Sequence, residues 1–296
     1  MKYLITGSLG NISSPLTQTL VQAGQDVTVI SSNADKKSAI EALGAKAAIG
    51  SVADEAFLTQ AFQQADAVYL MIPNDFSKPD YPTFQRKIAD LYVKALSNSS
   101  IQYVVLLSSI GAHLRKGAGP IDGLAYLEEK LQQLTDLNIQ VLRPSYFYYN
   151  LFSLAGLIKN AGIAGNNFGN TEEKLVLTHT SDIADVAAEE LLKHDFEGYH
   201  IRYIASDERH PSEIAAVLGQ SVGKENTPWV PFTDEQSREG MLAAGVPPVF
   251  TELYVDMGKA IREGKLQEDY WKNRPVLGKV KLEDFAQEFA GAYQQG

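Results

Sequence analysis

The chain has 296 residues, 45% of them hydrophobic, which is enough for one large α/β domain or two smaller ones. Its formal net charge of −10 argues against a basic surface for nucleic acid or anionic membranes, and the absence of cysteine excludes disulfides, thiolate nucleophiles and cysteine-based zinc sites. No apolar run approaches the ~20 residues that span a bilayer, so we expect a cytoplasmic protein.

The first half of the chain alternates short apolar runs with helical patterns. Helices are predicted from Ser13 to Ala23 and from Tyr81 to Leu96, where apolar residues recur with a helical period. The predicted strands are "KYLITG", "DVTVISS", "AKAAIG", "DAVYLMIP", "IQYVVLLSS" and "IQVLRP". This alternation predicts an α/β fold with a doubly wound parallel sheet.

The second half has a different pattern after Pro144. An aromatic segment, "SYFYYNLFSL", leads to the glycine-rich connection "AGIAGNNFGN" and then to charged helical segments. We therefore predict a nucleotide-binding domain over 1–150 and a smaller mixed α/β lobe over 151–296, packed across the carboxyl edge of the sheet. Part of 174–205 is predicted to return to the first domain, with "VLTHTSDIADVA" as the candidate segment, while the β-like run "YHIRYIAS" is predicted to belong to the smaller lobe.

The segment "TGSLGNIS" ends the first predicted strand and opens the first predicted helix. Free amides and the positive end of a helix dipole attract an anion at such a turn. Gly7 permits a tight turn and Gly10 lets a phosphate approach, although Ser13 stands where a third glycine is usual. A plain strand-to-helix turn is the alternative. The residues predicted to hold a dinucleotide diphosphate are Thr6, Gly7, Ser8, Leu9, Gly10, Asn11 and Ile12.

The end of the second strand is where such proteins distinguish NAD from NADP. This chain has Ser31, Ser32 and Asn33 there, which are neither acidic nor basic. Lys36 and Lys37 are close enough to reach a phosphate. The predicted cofactor is therefore NADP or NAD, with NADP slightly favoured.

Several segments in order, "TGSLGNIS", "LLSSIGAH", "VLRPSYFYYNL", "HTSDIADVAAEEL" and "AAGVPPVFTELY", resemble the NmrA-like branch of the atypical short-chain dehydrogenase/reductases. The resemblance implies a Rossmann lobe that binds NAD(P), a small substrate lobe and a cleft between them. The family spans quinone and dye reductases, epimerase-like proteins and redox-sensing regulators. Ser32 and Ser51 stand where the family often has an arginine and an aspartate, which loosens the expected NADP preference at the adenosine end of the site.

The pair Tyr126 and Lys130 has the spacing of the catalytic tyrosine and lysine of ordinary short-chain reductases. Counting back from "LRP", Glu129 falls where NmrA-like helices carry their glutamate, which puts the ordinary tyrosine and lysine positions at Ile121 and Ala125. We therefore expect Tyr126 and Lys130 on the flank of their helix, outside catalysis.

Ser109, after the fifth strand, is predicted to be catalytic because ligands of such sheets bind at the carboxyl edge; a turn cap is the alternative. The other residues predicted to contact cofactor are Ile72, Pro73, Asn74 and Ser108. Those predicted to contact substrate are His113, Tyr146, Phe147 and Tyr149. The histidines show no metal-ligand spacing with carboxylates, so no metal is predicted.

These features favour an NAD(P)H-dependent oxidoreductase that transfers hydride to a small, flat, apolar acceptor such as a quinone or enone. The first alternative is an NmrA-like redox sensor that binds NAD(P) without turnover. A nucleoside-diphosphate-sugar epimerase is a weaker alternative, because it needs a working tyrosine base. The expected partner is a small-molecule substrate, and the candidate protein partners are a second copy of the chain or a regulatory protein.

Overall fold

The computed structural model describes residues 1–169 and 174–295, so Asn170 of the predicted glycine-rich connection lies outside the described residues. The strands are β1 (Lys2–Ile5), β2 (Asp26–Ser31), β3 (Lys46–Ile49), β4 (Ala67–Leu70), β5 (Tyr103–Leu107), β6 (Asn138–Pro144), β7 (Tyr146–Phe147), β8 (Ala164–Asn166), β9 (Leu175–Thr178), β10 (Tyr199–Ile204), β11 (Asp207–Arg209) and β12 (Trp229–Pro231). The α-helices are α1 (Ser13–Gln22), α2 (Lys37–Ala42), α3 (Glu55–Phe62), α4 (Tyr81–Ser97), α5 (Asp122–Leu131), α6 (Ala155–Ala161), α7 (Thr180–Lys193), α8 (Pro211–Ser221), α9 (Asp234–Ala243), α10 (Pro248–Arg262), α11 (Glu268–Lys272) and α12 (Leu282–Gln295).

Seven strands form one sheet in the order β10-β6-β5-β4-β1-β2-β3, and every neighbouring pair is parallel. The chain runs outward from β1 to β2 and β3, then returns to the other side of β1 as β4. This reversal of direction opens a crevice at the carboxyl ends of β1 and β4. The predicted strands of the first half all take part in this sheet, so the doubly wound α/β fold is confirmed.

Both faces of the sheet are buried, which is why its strands are apolar along their length. Leu4, Val68 and Leu106 face the layer that contains α3, α4 and α5. Ile5 and Val105, which alternate with them, face the layer of α1 and α7. Full burial of each such side chain stabilises the fold by roughly 1.5–3 kcal/mol.

Helix α7 and strand β10 return to the large sheet. Ile183 and Leu191 of α7 are buried with Leu16 and Leu20 of α1, and β10 pairs with β6 along its whole length. Strand β9, in contrast, belongs to a smaller sheet. The segment 174–205 is thus shared between the two lobes, while the division at residue 150 stays a prediction.

The smaller lobe contains a three-stranded sheet in the order β11-β9-β7 and a parallel pair of β8 and β12. Strand β6 passes almost directly into β7, so the chain enters this lobe at the carboxyl edge of the large sheet. Buried Asp182 of α7 ties the lobes together, because it accepts hydrogen bonds from Ser206 Oγ at 2.6 Å and the Lys279 amide at 3.2 Å. None of the helices in the described ranges is long and apolar enough to cross a membrane.

Candidate functional site

The glycine turn between β1 and α1 is sharply folded. Gly7 has φ +92°, and a side chain there would lie 2.6 Å from Ser13 Oγ, so only glycine fits without rearrangement. Ser13 Oγ donates to the Thr6 carbonyl at 2.9 Å, which ties the first turn of the helix to the strand end. The serine at the third glycine position therefore closes the turn.

The same turn leaves backbone donors free. The Ser8 amide donates to the Ile30 carbonyl at 3.1 Å, and the Gly10 amide to the Gly7 carbonyl at 3.2 Å. The amides that have no acceptor within the described ranges are those of Leu9, Asn11, Ile12 and Ser13. No acidic side chain occupies the first turn of α1, so these amides and the helix dipole suit a diphosphate group.

Hydrogen bonds fix the crevice beside this turn. Thr6 Oγ1 donates to the Tyr69 carbonyl at 3.0 Å and accepts from the Met71 amide at 2.8 Å, so the ends of β1 and β4 are held together. Farther along, Tyr81 donates to Asn74 Oδ1 at 2.7 Å. The segment that includes Ile72, Pro73 and Asn74 comes after β4 in the chain. It therefore lies at the same edge of the sheet as the glycine turn.

The end of β2 carries neutral hydroxyl groups. Ser31 Oγ accepts from Ser8 Oγ at 2.9 Å and donates to the Asn33 carbonyl at 3.2 Å, which links this end to the glycine turn. Ser32 and Ser51 are exposed. Lys36 is exposed and has no carboxylate within 4.0 Å in the described part of the chain. Its ammonium group is therefore available to an added anion.

Ser108 is not brought to the cleft. It is 2% exposed and its hydroxyl donates to Glu128 of α5. Glu128 is held in turn by Arg143 through bonds of 3.1 and 2.6 Å, and Arg143 also donates to the Tyr203 hydroxyl at 2.9 Å and to Asp269 at 3.3 Å. This buried network joins the end of β5 to β6, α5, β10 and α11, and the Ser108 hydroxyl is bonded within it.

Ser109 is placed differently from its neighbour. It is partly exposed at the carboxyl edge, and its hydroxyl makes no hydrogen bond to any described residue. Burial lowers the pKa of His113, while the carboxylates of Asp269 and Glu268 on α11 act in the opposite direction, so the ring lies near that helix. Both ring nitrogens of His113 are buried without a partner among described groups. The structure thus leaves Ser109 available to a ligand and turns His113 toward the second lobe.

Tyr126 and Lys130 lie on the surface between α4 and α5. The Tyr126 hydroxyl donates to Asp90 Oδ1 at 3.0 Å, and the Lys130 ammonium lies 3.6 Å from the same carboxylate. Ile121 and Ala125, where the register count puts the ordinary tyrosine and lysine, are buried apolar positions. Neither of these two positions carries a tyrosine or a lysine.

The four aromatic residues that follow β6 have different surroundings. The Tyr146 ring meets the Phe168 ring edge-on at 5.2 Å, while Phe147 packs against the core of the large sheet. Tyr148 is fully buried, whereas Tyr149 is 53% exposed. Tyr149 also lines a cavity of about 140 Å³ together with Asn11, His179, Thr180, Phe285 and Glu288. Tyr146 is the member of the set that faces the cleft between the lobes.

An aromatic cluster that was not predicted from the sequence lies where α10 meets the first lobe. Phe250 of α10 lies 4.7 Å from the Tyr81 ring and 4.4 Å from the Phe76 ring, measured between centroids. Tyr254 follows one helical turn after Phe250, and burial raises the pKa of its phenol. The segment "VFTELY" carries the signal, an aromatic pair at i and i+4, but its contact with the first lobe depends on distant chain segments.

A doubly wound sheet whose crevice is capped by free amides defines a dinucleotide-binding protein of the Rossmann type. The chain belongs to the NAD(P)H-binding family, whose model matches residues 7–194. The family match confirms two predictions: that the chain is an NAD(P)-binding Rossmann protein, and that its cofactor is NADP or NAD. The described ranges hold no cluster of three histidine or acidic side chains suited to a metal ion.

Solved structures with the same fold include three enzymes. The NADPH-dependent quinone oxidoreductase of Escherichia coli, in a complex with NADPH, has a TM-score of 0.83 at 18% identity, covering 97% of this chain and 99% of that one. The triphenylmethane reductase of Citrobacter sp. has 0.81 at 19% identity, with 98% and 100% covered. A nucleoside-diphosphate-sugar epimerase of Staphylococcus aureus has 0.81 at 15% identity, with 97% and 100% covered. Curated protein sequences give no significant match.

Proposed function

We propose that this protein is an NAD(P)H-dependent oxidoreductase that reduces a small, flat, apolar acceptor such as a quinone or enone. The observation that carries the proposal is that the glycine turn, Ser109 and Tyr146 follow the carboxyl ends of the parallel strands β1, β5 and β6, so they lie at the same edge of the sheet. The likeness of the whole fold to a quinone oxidoreductase and a dye reductase supports it.

The residues present suit an extended dinucleotide. The free amides between Leu9 and Ser13 would hold the diphosphate, and the hydroxyls of Ser31 and Ser32 would line the adenosine end. The unpaired ammonium of Lys36 is suited to a 2′-phosphate, so we propose NADP in preference to NAD. The nicotinamide end would extend along Ile72–Asn74 toward Ser109.

Bound NAD(P)H supplies a hydride from its reduced nicotinamide ring. The contribution of the chain is to orient the acceptor, exclude water and provide hydrogen-bond donors. Ser109 offers a free hydroxyl for this purpose at the end of β5. Tyr126 is bonded to Asp90 outside the cleft, which favours hydride transfer to an activated acceptor over epimerase chemistry that needs a tyrosine base.

The proposal is tested with purified protein, NADPH or NADH, and a panel of quinones and enones, by following the loss of the reduced nicotinamide absorbance. We expect turnover with at least one flat acceptor and a preference for NADPH. If both coenzymes bind and no acceptor is reduced, the redox-sensor alternative replaces the enzyme. If neither coenzyme binds, both functions are excluded.

A further inference from the structure

Helix α10 bridges the two lobes and is fixed at two points. A side chain at Gly119, in the loop before α5, would lie 2.9 Å from the Leu253 carbonyl carbon. A side chain at Gly258 would lie 2.5 Å from Asn167 Cγ. Asn167 also donates to the Val255 carbonyl at 3.0 Å. These close backbone contacts leave α10 little freedom to slide or rotate.

One face of α10 lies between the two lobes. Phe250, Tyr254 and Gly258 are spaced at i, i+4 and i+8, so they share this face. The ring of Phe250, the first residue of this face, lies 4.7 Å from the ring of Tyr81 in the large-sheet lobe, measured between centroids. Gly258, the last residue of this face, contacts Asn167 of the smaller lobe. The Tyr254 side chain therefore lies between these two contacts.

The opposite side of the cleft supplies a second phenol. Phe168, next to Asn167, meets the Tyr146 ring at 5.2 Å. Burial raises the pKa of Tyr146 and of Tyr81, and the nearby Tyr254 raises each of them further, which is consistent with its position between them. Three tyrosines from α4, β7 and α10 thus converge where the lobes meet.

Only one of these three hydroxyls is bonded in the described part of the chain. Tyr81 donates to Asn74 at 2.7 Å, whereas the hydroxyls of Tyr146 and Tyr254 make no hydrogen bond to described residues. Burial raises the pKa of both phenols, so both are protonated donors at neutral pH. A half-buried donor without an acceptor carries a desolvation cost that a ligand can remove.

We propose that Tyr254 and Tyr146 donate hydrogen bonds to a carbonyl oxygen of the acceptor. The two lone pairs of a carbonyl oxygen can accept both bonds. The proposal deepens the proposed function and rests on it for the reaction, but ligand binding alone tests it. It restricts the acceptor to compounds that bear a carbonyl group.

The deciding experiment is calorimetric titration of the protein saturated with NADP⁺, a state in which no hydride is available, with menadione. Tyr254→Phe removes one oxygen atom and is expected to weaken menadione binding about tenfold, the value of one hydrogen bond. Tyr126→Phe, at a tyrosine whose hydroxyl is bonded to Asp90 on the surface, is the matched control and should bind as the wild type does. Equal affinities of wild type and Tyr254→Phe, or no binding by the wild type, would overturn the proposal.

A second ligand separates hydrogen bonding from packing. 2-Methylnaphthalene has the ring system of menadione without its carbonyl groups, so Tyr254→Phe should leave its affinity unchanged. If Tyr254→Phe lowered the affinity for both ligands equally, Tyr254 would have a packing role, and the proposal would be contradicted. If menadione binding depends on Tyr254 but no acceptor is reduced, the proposed enzymatic function fails while this binding site stands.

Discussion

Gly10 offers the sharpest test of the glycine turn, through the substitution Gly10→Asp. Gly10 is exposed and its φ is not positive, and an added Cβ meets only the Gly7 carbonyl, at 3.2 Å. The variant should therefore fold. Its carboxylate would stand beside the free amides of Asn11 and Ile12, where the diphosphate is proposed to bind.

The expected loss of affinity is large. Two unit charges about 4 Å apart repel by about 4 kcal/mol at an effective dielectric constant of about 20, which corresponds to about 1000-fold. Gly10→Asn has nearly the same shape without the charge and should lose about tenfold at most, so the difference between the two variants isolates the electrostatic part. Added salt should reduce that difference.

The assay is calorimetric titration with NADPH and NADH, accompanied by thermal unfolding of the free protein. An acid at a helix N-terminus is favourable, so Gly10→Asp should unfold no earlier than the wild type although it binds coenzyme poorly. If Gly10→Asp bound coenzyme within about threefold of the wild type, a diphosphate at this turn would be ruled out.

Three further predictions concern other parts of the molecule. Tyr126→Phe should leave coenzyme affinity and kcat unchanged because this hydroxyl is bonded to Asp90; a collapse of kcat would show that it takes part in catalysis. Glu128→Gln leaves the Arg143 guanidinium without a full countercharge and should lower the free energy of unfolding in urea by about 3–5 kcal/mol, whereas a loss under 1 kcal/mol would contradict this role. Arg262 holds the pKa of Asp234 down to about 2, so this carboxylate contributes stability above its unfolded value near 3.8 and loses it as the pH falls through about 2. The stability difference between wild type and Asp234→Asn should therefore be largest near pH 5 and shrink toward pH 2, and a difference that does not change with pH would refute the assignment.

The fold followed from local patterns because doubly buried strands and strand-to-helix turns leave clear signals in the sequence. The glycine turn was found for the same reason, since Gly7, Gly10 and the flanking strand are close together in the chain. Side chains alternate between the two faces of a strand, and Val104 and Leu106 point toward the α5 layer. Ser108, two residues after Leu106, must point the same way, so its position beside α5 could also have been predicted from the sequence.

Contacts between segments that are distant in the chain could not be predicted from local sequence patterns. Glu128 and Glu129 are neighbours on α5, yet Glu128 is buried against Arg143 while Glu129 pairs with Arg115 at the surface. Sequence spacing does not choose between them, because the choice depends on where β6 lies in the sheet. The same holds for Tyr254, whose position in the cleft is set by how α10 packs on both lobes.

The way α10 is held has a consequence for substitutions in the loop before α5. At Gly119 the helix backbone touches the opposite lobe directly, so side-chain rotation cannot widen the gap there. The distance between α10 and the loop before α5 is therefore fixed by backbone contact. We expect any substitution at Gly119 to push α10 away from the first lobe, and with it the Tyr254 hydroxyl.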